Sequence, residues 1–184
     1  MSQQVAVNIN LAMIPGRRLF GNPQRALEPY VAKGQMVADL GCGKGYYTLA
    51  LAECVGPEGK VYAVDFDEKC SRALEKEVDR RGYRNIEVHT SSAYELSFIK
   101  EGSVDFILAN GLLCSMPSHR EEAVSEIKRI LKSTGKAYLS LGAPAPLGFV
   151  NKEEWKKILE GFRVEQKGGF FAPSSWALVS AKQQ

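Results

Sequence analysis

Cysteine and histidine are sparse in this chain, with four of the first and two of the second among 184 residues. Cys42, Cys54, Cys70 and Cys114 form no Cys-x-x-Cys pair, and their spacing with His89 and His119 matches no metal-ligand set. A disulfide framework and a metal centre are therefore not expected, and the cysteines read as free thiols of a reducing compartment. No run of about 18 apolar residues occurs, so no membrane-spanning helix is expected. The first fifteen residues lack the basic start of a signal peptide, which favours a soluble, cytoplasmic protein. Net charge of one sign is also missing. The formal balance is only +3, and basic residues are interleaved with acids, as in Glu75-Lys-Glu-Val-Asp-Arg-Arg81. Such a run is the wet face of a helix, not a nucleic-acid footprint. Repeats, linkers and low-complexity tracts are absent. At 45% hydrophobic and 24% charged, the chain suits one buried core, and residues 1–184 read as a single domain.

What the chain does have is a regular alternation of apolar segments. Strands are expected near 36–40, 61–65, 86–90, 104–109 and 136–141, with helices near 45–55, 68–81 and 119–131 between them. The last helix places Ala123, Val124, Ile127, Ile130 and Leu131 on one side. Strands alternating with helices imply an α/β architecture with a parallel, doubly wound sheet. Asn22-Pro23 reads as a helix start, a capping side chain followed by proline at the first helical position, and Pro29 ends that helix early. A further helix at about 151–160 holds Trp155 and is followed by two strands, Phe162 to Phe171 and Ser175 to Ala181.

The segment Val37-Ala-Asp-Leu-Gly-Cys-Gly-Lys-Gly-Tyr-Tyr-Thr48 carries the chemistry. An apolar strand ends beside an acid, and glycines then alternate at 41, 43 and 45. Glycines there permit φ > 0 and let bare backbone approach a ligand at the start of the following helix. The dinucleotide fingerprint is G-x-G-x-x-G, whereas this loop reads Asp39-x-Gly41-x-Gly43-x-Gly45. A second strand, Val61-Tyr-Ala-Val-Asp65, closes in a carboxylate 20 residues beyond Gly45. A carboxylate at the end of the second strand of a βαβ unit accepts ribose hydroxyls of an adenosine ligand.

The acid ahead of the glycines resembles the first motif of the class I S-adenosylmethionine-dependent methyltransferases. Val55-Gly-Pro-Glu-Gly-Lys-Val-Tyr-Ala-Val-Asp-Phe66, Gly102-Ser-Val-Asp-Phe-Ile-Leu-Ala109 and Glu126-Ile-Lys-Arg-Ile-Leu-Lys-Ser-Thr-Gly-Lys136 are similar to the later motifs of the ubiquinone and menaquinone branch. The resemblance covers about residues 23–142. It implies a Rossmann-like methyltransferase fold, a seven-stranded and mostly parallel sheet whose C-terminal hairpin supplies an antiparallel strand. The implied cofactor is S-adenosyl-L-methionine, with Asp39 meeting its ammonium directly or by orienting the loop. Two departures stand out. Ser92 occupies the position after the third strand where that branch carries an acid near the adenine amino group, and the branch's long segment before the last helix is absent.

In an open α/β sheet the ligand lies beyond the carboxyl ends of the strands, where strand order reverses. That rule and the motifs together nominate Asp39, Gly41, Cys42, Gly43, Gly45, Asp65, Phe66, Ser92, Ala93 and Asn110 as the cofactor site. Plainer roles compete for several of them: a turn for Asn110-Gly111, a solvated loop for Ser92, packing for Cys42. No catalytic residue is assigned. His119 reads as a surface histidine at a helix start or as a base, Cys114 as packing or a substrate-side group, and His89 as structural. Tyr46 and Tyr47 line a methyl pocket or cover the core. The acceptor is expected to be a small molecule, because charge is balanced and Asn110 is not followed by the Pro-Pro-aromatic sequence of many amino-group methyltransferases. Residues 1–21, with alternating apolar positions and Arg17-Arg18, read as an N-terminal lid or strand, and the loop from Leu141 to Phe149 as a gate or a stiff connector. Three other functions share these residues: a nicotinamide oxidoreductase, a non-enzymatic adenosine-ligand subunit, and a methyltransferase acting on RNA or protein.

Overall fold

The computed structural model describes residues 22–141, 150–169 and 175–182. The N-terminal segment with Arg17 and Arg18, most of the Leu141 to Phe149 loop, and Phe171 in the terminal hairpin lie outside them. In chain order the elements are α1 (Pro23–Leu27), β1 (Met36–Leu40), α2 (Thr48–Val55), β2 (Lys60–Asp65), α3 (Glu68–Arg81), β3 (Ile86–Thr90), β4 (Val104–Asn110), α4 (Arg120–Ile130), β5 (Leu131–Ser140), α5 (Lys152–Glu160), β6 (Phe162–Gly168) and β7 (Trp176–Ala181).

The helices start where side chains satisfy their first N–H groups. Asn22 Oδ1 accepts the Gln24 N–H at 2.9 Å, and Asp67 Oδ1 accepts that of Lys69 at 2.9 Å. On α5 the cap is reciprocal: Asn151 Oδ1 accepts the Glu154 N–H while Glu154 Oε2 accepts the Asn151 N–H, each at 2.9 Å. The second helix begins later than the apolar periodicity predicts, at Thr48 in place of residue 45. The cause is backbone geometry. Gly41, Gly43 and Gly45 have φ of 77°, 54° and 85°, and a right-handed helix cannot run through such residues.

The strands form one seven-stranded sheet in the order β3-β2-β1-β4-β5-β7-β6. The first five in that order pair in parallel, β7 runs antiparallel to β5, and β6 pairs antiparallel with β7. The expected C-terminal hairpin is thus present, with its second strand placed next to β5 and its first on the outer edge. The last parallel strand starts earlier than expected. Leu131 pairs with Val104 directly after α4, and a register shift between Val104 and Phe106 takes up the intervening residues.

Alternation sends side chains to two cores. Val37, Phe106, Leu108 and Tyr138 pack with Leu27, Leu51 and Val55 of α1 and α2. Ala38, Leu40, Ile107 and Leu139 face the opposite way, toward Ile127 and Ile130 of α4 and Ile158 of α5. A third group joins Leu74 and Val78 of α3 to Ala63 and Cys42. Both faces are covered, which is why the central strands are apolar almost without interruption. Strand order reverses between β1 and β4, so the crevice opens at their carboxyl ends.

One polar contact sits inside this packing. Asp39, 3% exposed, accepts the hydroxyl of the fully buried Thr48 at 2.6 Å, tying the end of β1 to the start of α2 across the glycine loop. Burial pushes the Asp39 carboxyl up to about 7, with the nearby Asp65 charge raising it further and the Thr48 hydroxyl opposing.

Two outcomes follow for stability. A Cβ on Gly45 would run into Leu74 Cδ1, whereas one on Gly43 would meet nothing within 4 Å. Gly45→Ala should lower stability by about 1–3 kcal/mol through overpacking, and Gly43→Ala by about 1 kcal/mol through its positive φ alone; urea midpoints that rank the two variants in reverse order would contradict this packing. Because its folded pKa is raised, Asp39 contributes stability that is fully present below its ordinary value of 3.8 and is lost as pH rises through about 7. Asp39→Asn keeps an oxygen for Thr48 and removes the titration. Thermal melts should therefore decline between about pH 5 and 7 in the parent protein and flatten in the variant, and an unchanged slope would dismiss Asp39 as the titrating group.

Candidate functional site

At the carboxyl end of β2 the Asp65 carboxylate binds the glycine loop. Its Oδ2 accepts the Gly43 N–H at 2.7 Å and its Oδ1 accepts the Asp67 N–H at 2.9 Å. The first bond fixes the middle of the loop from one side, as the Asp39–Thr48 contact fixes its flanks from below. Gly41 N–H and Cys42 N–H both donate to the Val64 carbonyl, at 2.8 and 3.1 Å. Each glycine then has its own reason. Gly41 lies where a Cβ would press on Leu112 at 3.1 Å, Gly45 where one would enter Leu74, and Gly43 has open space beside it. The space at Gly43 is where a ligand can approach bare backbone.

Next to the loop lies a cavity of about 310 Å³, walled by Gly41, Val64, Asp65 and Phe66 on one side, by Ser91 to Tyr94 beyond β3, and by Leu112 and Ser115 to His119 beyond β4. Phe66 is 72% exposed, an unusual setting for a phenyl ring, and it stands at the rim of this cavity. Ala93 is buried, while Ser92 is half-buried with its hydroxyl-bearing side chain on the cavity wall. Five of the residues nominated from the sequence, Gly41, Asp65, Phe66, Ser92 and Ala93, therefore meet around one space of a size suited to a nucleoside.

The others stand apart from that cavity. Asp39 precedes the loop and Cys42 lies within it, and both are buried. Burial and the two neighbouring carboxylates push the Cys42 thiol far up, so it is a neutral packing group. Gly45 faces α3. Asn110 ends β4 half-buried, and its Oδ1 accepts the Ser140 hydroxyl. None of the four cysteines is bridged to another, and among the described residues no cluster of three or more metal-ligating side chains occurs.

Several wall residues were not nominated. Leu112 roofs Gly41, and Tyr94 stacks on His119 with ring centroids 4.3 Å apart. His119 is therefore a half-exposed wall of the cavity, with Nδ1 3.6 Å from Glu122 Oε1, and not only a histidine at a helix start. His89 is elsewhere, on edge strand β3, stacked on Phe98 at 3.9 Å and 2.7 Å from Glu87 Oε1. Periodicity carries no signal for these stacks, because their partners lie on different elements; the one local hint was that Leu112 directly follows a turn glycine at a strand end.

Residues 37–135 match the family described as methyltransferase domain. Over 120 residues the chain is 35% identical to a demethylmenaquinone methyltransferase of Geobacillus stearothermophilus, covering 65% of this chain and 50% of that protein. A demethylmenaquinone methyltransferase of Listeria welshimeri is 30% identical over 161 residues, covering 83% of this chain and 65% of the relative. The chain thus spans about half to two thirds of the length of these curated relatives. Among solved structures, a SAM-dependent methyltransferase from Aquifex aeolicus superposes with a TM-score of 0.74 at 26% identity, covering 94% of this chain and 95% of the other. The family match runs from the first strand into the fifth and takes in more than half of the chain, including the glycine loop, both acids and the cavity walls. The chain belongs to the methyltransferase domain family, within the class I S-adenosylmethionine-dependent methyltransferases.

Proposed function

We propose that this protein transfers a methyl group from S-adenosylmethionine to a small organic acceptor by in-line displacement. The observation that carries the reading is the Gly43–Asp65 clamp, which holds a bare glycine loop open beside a nucleoside-sized cavity. The residues present fit the cofactor. Asp65 has two carboxylate oxygens, each engaged once by a backbone N–H, and retains lone pairs for ribose hydroxyls. Phe66 offers an exposed ring face to a purine, and Ser92 with the backbone at Ala93 offers polar groups to its edge. Ser92 replaces the acid of related sequences with a neutral hydroxyl, so adenine is held there without a charge. Asp39 supports the loop through Thr48, the orienting role of the two considered for it.

When bound, the cofactor supplies an electrophilic methyl on a sulfonium. The chain's own contribution is to hold the donor and exclude water, and positioning of this kind lowers barriers by up to about 7–11 kcal/mol in favourable systems. A small acceptor is supported by the names of the relatives, which act on demethylmenaquinone, and by the balanced charge of the chain. The protein is read as one domain, and among the described residues no helix is long and apolar enough to cross a membrane.

Calorimetry should show S-adenosylmethionine binding that Asp65→Ala weakens by about 1.5–3 kcal/mol, the range for hydrogen bonds to a charged group. Unchanged affinity in a folded variant would remove Asp65 from the ribose role. Incubation with quinol acceptors should consume the cofactor. Tight cofactor binding without turnover would favour a non-enzymatic adenosine-ligand subunit, and tight RNA binding with a steep salt dependence would replace the small acceptor with nucleic acid.

A further inference from the structure

The wall of the cavity beyond β3 is held in place from a distance. Residues 91–99 form two consecutive turns. In the first, which borders the cavity through Ser91 to Tyr94, the Glu95 N–H donates to the Ser92 carbonyl at 2.9 Å and the Ser91 hydroxyl donates to the Glu95 carbonyl at 2.9 Å. In the second, the Ile99 N–H donates to the Leu96 carbonyl at 2.9 Å. The Ser91 N–H ties the start of the segment to the Asp65 carbonyl at 3.0 Å. The N–H groups of Ser92, Ala93 and Tyr94 meet no backbone acceptor among the described residues, although Ala93 is buried.

The far end of the segment is gripped by α4. Arg129 lays its guanidinium on Glu126 as a fork, donating from Nε to Oε1 at 2.6 Å and from Nη2 to Oε2 at 2.8 Å. It makes two further bonds, from Nη1 to the Ile99 carbonyl at 3.0 Å and from Nη2 to the Leu96 carbonyl at 2.8 Å. Glu126 Oε2 also accepts the Leu96 N–H at 3.0 Å. The Glu126 side chain is 19% exposed and that of Arg129 30%, so water screens these bonds little. His119, two turns earlier at the start of α4, stacks on Tyr94. One side of α4 therefore meets the segment at both of its turns.

Leu96 and Ile99 are fully buried beside Ile127 and Ile130, and that packing fixes how deep the segment sits. Apolar contact has no direction. The fork does, because a planar guanidinium that grips a carboxylate and two carbonyls admits one rotation of the backbone. Through Glu95 that rotation passes to Ser92 and Ala93, and groups that recognise a ligand edge must be held to within about 0.5 Å. We propose that the Glu126–Arg129 pair is a positioning unit that aims the Ser92 and Ala93 wall at the purine edge and thereby sets the discrimination of the site between purines. This deepens the proposed S-adenosylmethionine site and rests on it.

Two nucleosides read the wall: 5′-methylthioadenosine, whose N1 accepts and whose 6-amino group donates, and 5′-methylthioinosine, in which N1 donates and the 6-oxo group accepts. A correctly aimed Ala93 N–H matches the first and opposes the second. By calorimetry the parent protein should bind the adenosine form about tenfold or more tightly than the inosine form. Glu126→Leu combined with Arg129→Met replaces the pair by apolar side chains, a change that commonly leaves stability intact. In that variant the preference should fall to about threefold or less, through weaker binding of the adenosine form while binding of the inosine form holds. A folded variant with the parental preference overturns the proposal, and so does equal weakening of both nucleosides, the mark of a merely structural role. A parent protein that binds both equally also overturns it, whereas one that binds neither removes the adenosine site itself and this inference with it. Should the double variant fail to fold, Arg129→Lys, which keeps a cation beside Glu126 and loses the fork, carries the same comparison.

Discussion

The structure depends on a loop that cannot be helical and cannot relax. Three alternating glycines with positive φ keep the chain between β1 and α2 out of regular strand or helix geometry. The loop closes one turn of its own, the Gly45 N–H donating to the Cys42 carbonyl at 3.0 Å, and is otherwise held from outside: Asp65 on the Gly43 N–H, the Val64 carbonyl on two more, and the Asp39–Thr48 contact beneath. Each anchor lies at or beside a strand end, so the precision of the loop is borrowed from the sheet. That is the arrangement expected of a ligand cradle, where a rigid scaffold presents irregular backbone. It also explains why the helix waits until Thr48, since the residue that caps Asp39 must lie in the first turn of α2.

Much of this was legible in the sequence because its determinants are local. Asp39, the glycines and Asp65 are read from strand ends and spacing, and the alternation of apolar segments gives the parallel sheet without further information. Ser92 and Ala93 were reachable by the same rule, as residues just past a third strand. The roof of the cavity was not, since Leu112 meets Gly41 and Tyr94 meets His119 only after β4 has crossed beside β1. Ser140 was hidden for a stronger reason. It lies 30 residues from Asn110, in a strand whose register shifts at its start, and no periodicity encodes which serine of an apolar strand will face which asparagine.

Charge gives the site its preference. Burial, and after it the nearby Asp65 charge, disfavours ionisation of Asp39, and burial with both carboxylates disfavours ionisation of the Cys42 thiol. Such a place is hostile to a thiolate nucleophile and to an anionic phosphate, and receptive to a cation. A pyrophosphate-bearing dinucleotide would bring negative charge to the same position, against both acids. A sulfonium with an adjacent ammonium brings the opposite. The acid ahead of the glycines therefore does more than mark a motif, because it sets the sign of the ligand the loop can hold.

That preference bears on the order of events at the site. Once a methyl group has left, the sulfonium charge is gone, and the product retains only the ammonium to offset Asp39 and Asp65. The electrostatic reward for occupancy is then smaller after transfer than before it, with every protein contact unchanged. Release of product would thereby be favoured by the same two acids, buried Asp39 and half-buried Asp65, that would favour capture of the charged donor. Neutral groups on the cavity wall, Phe66 and Ser92, would interact alike with both forms. Shape and hydrogen bonding hold the part of the ligand that does not change, and the two acids distinguish the part that does.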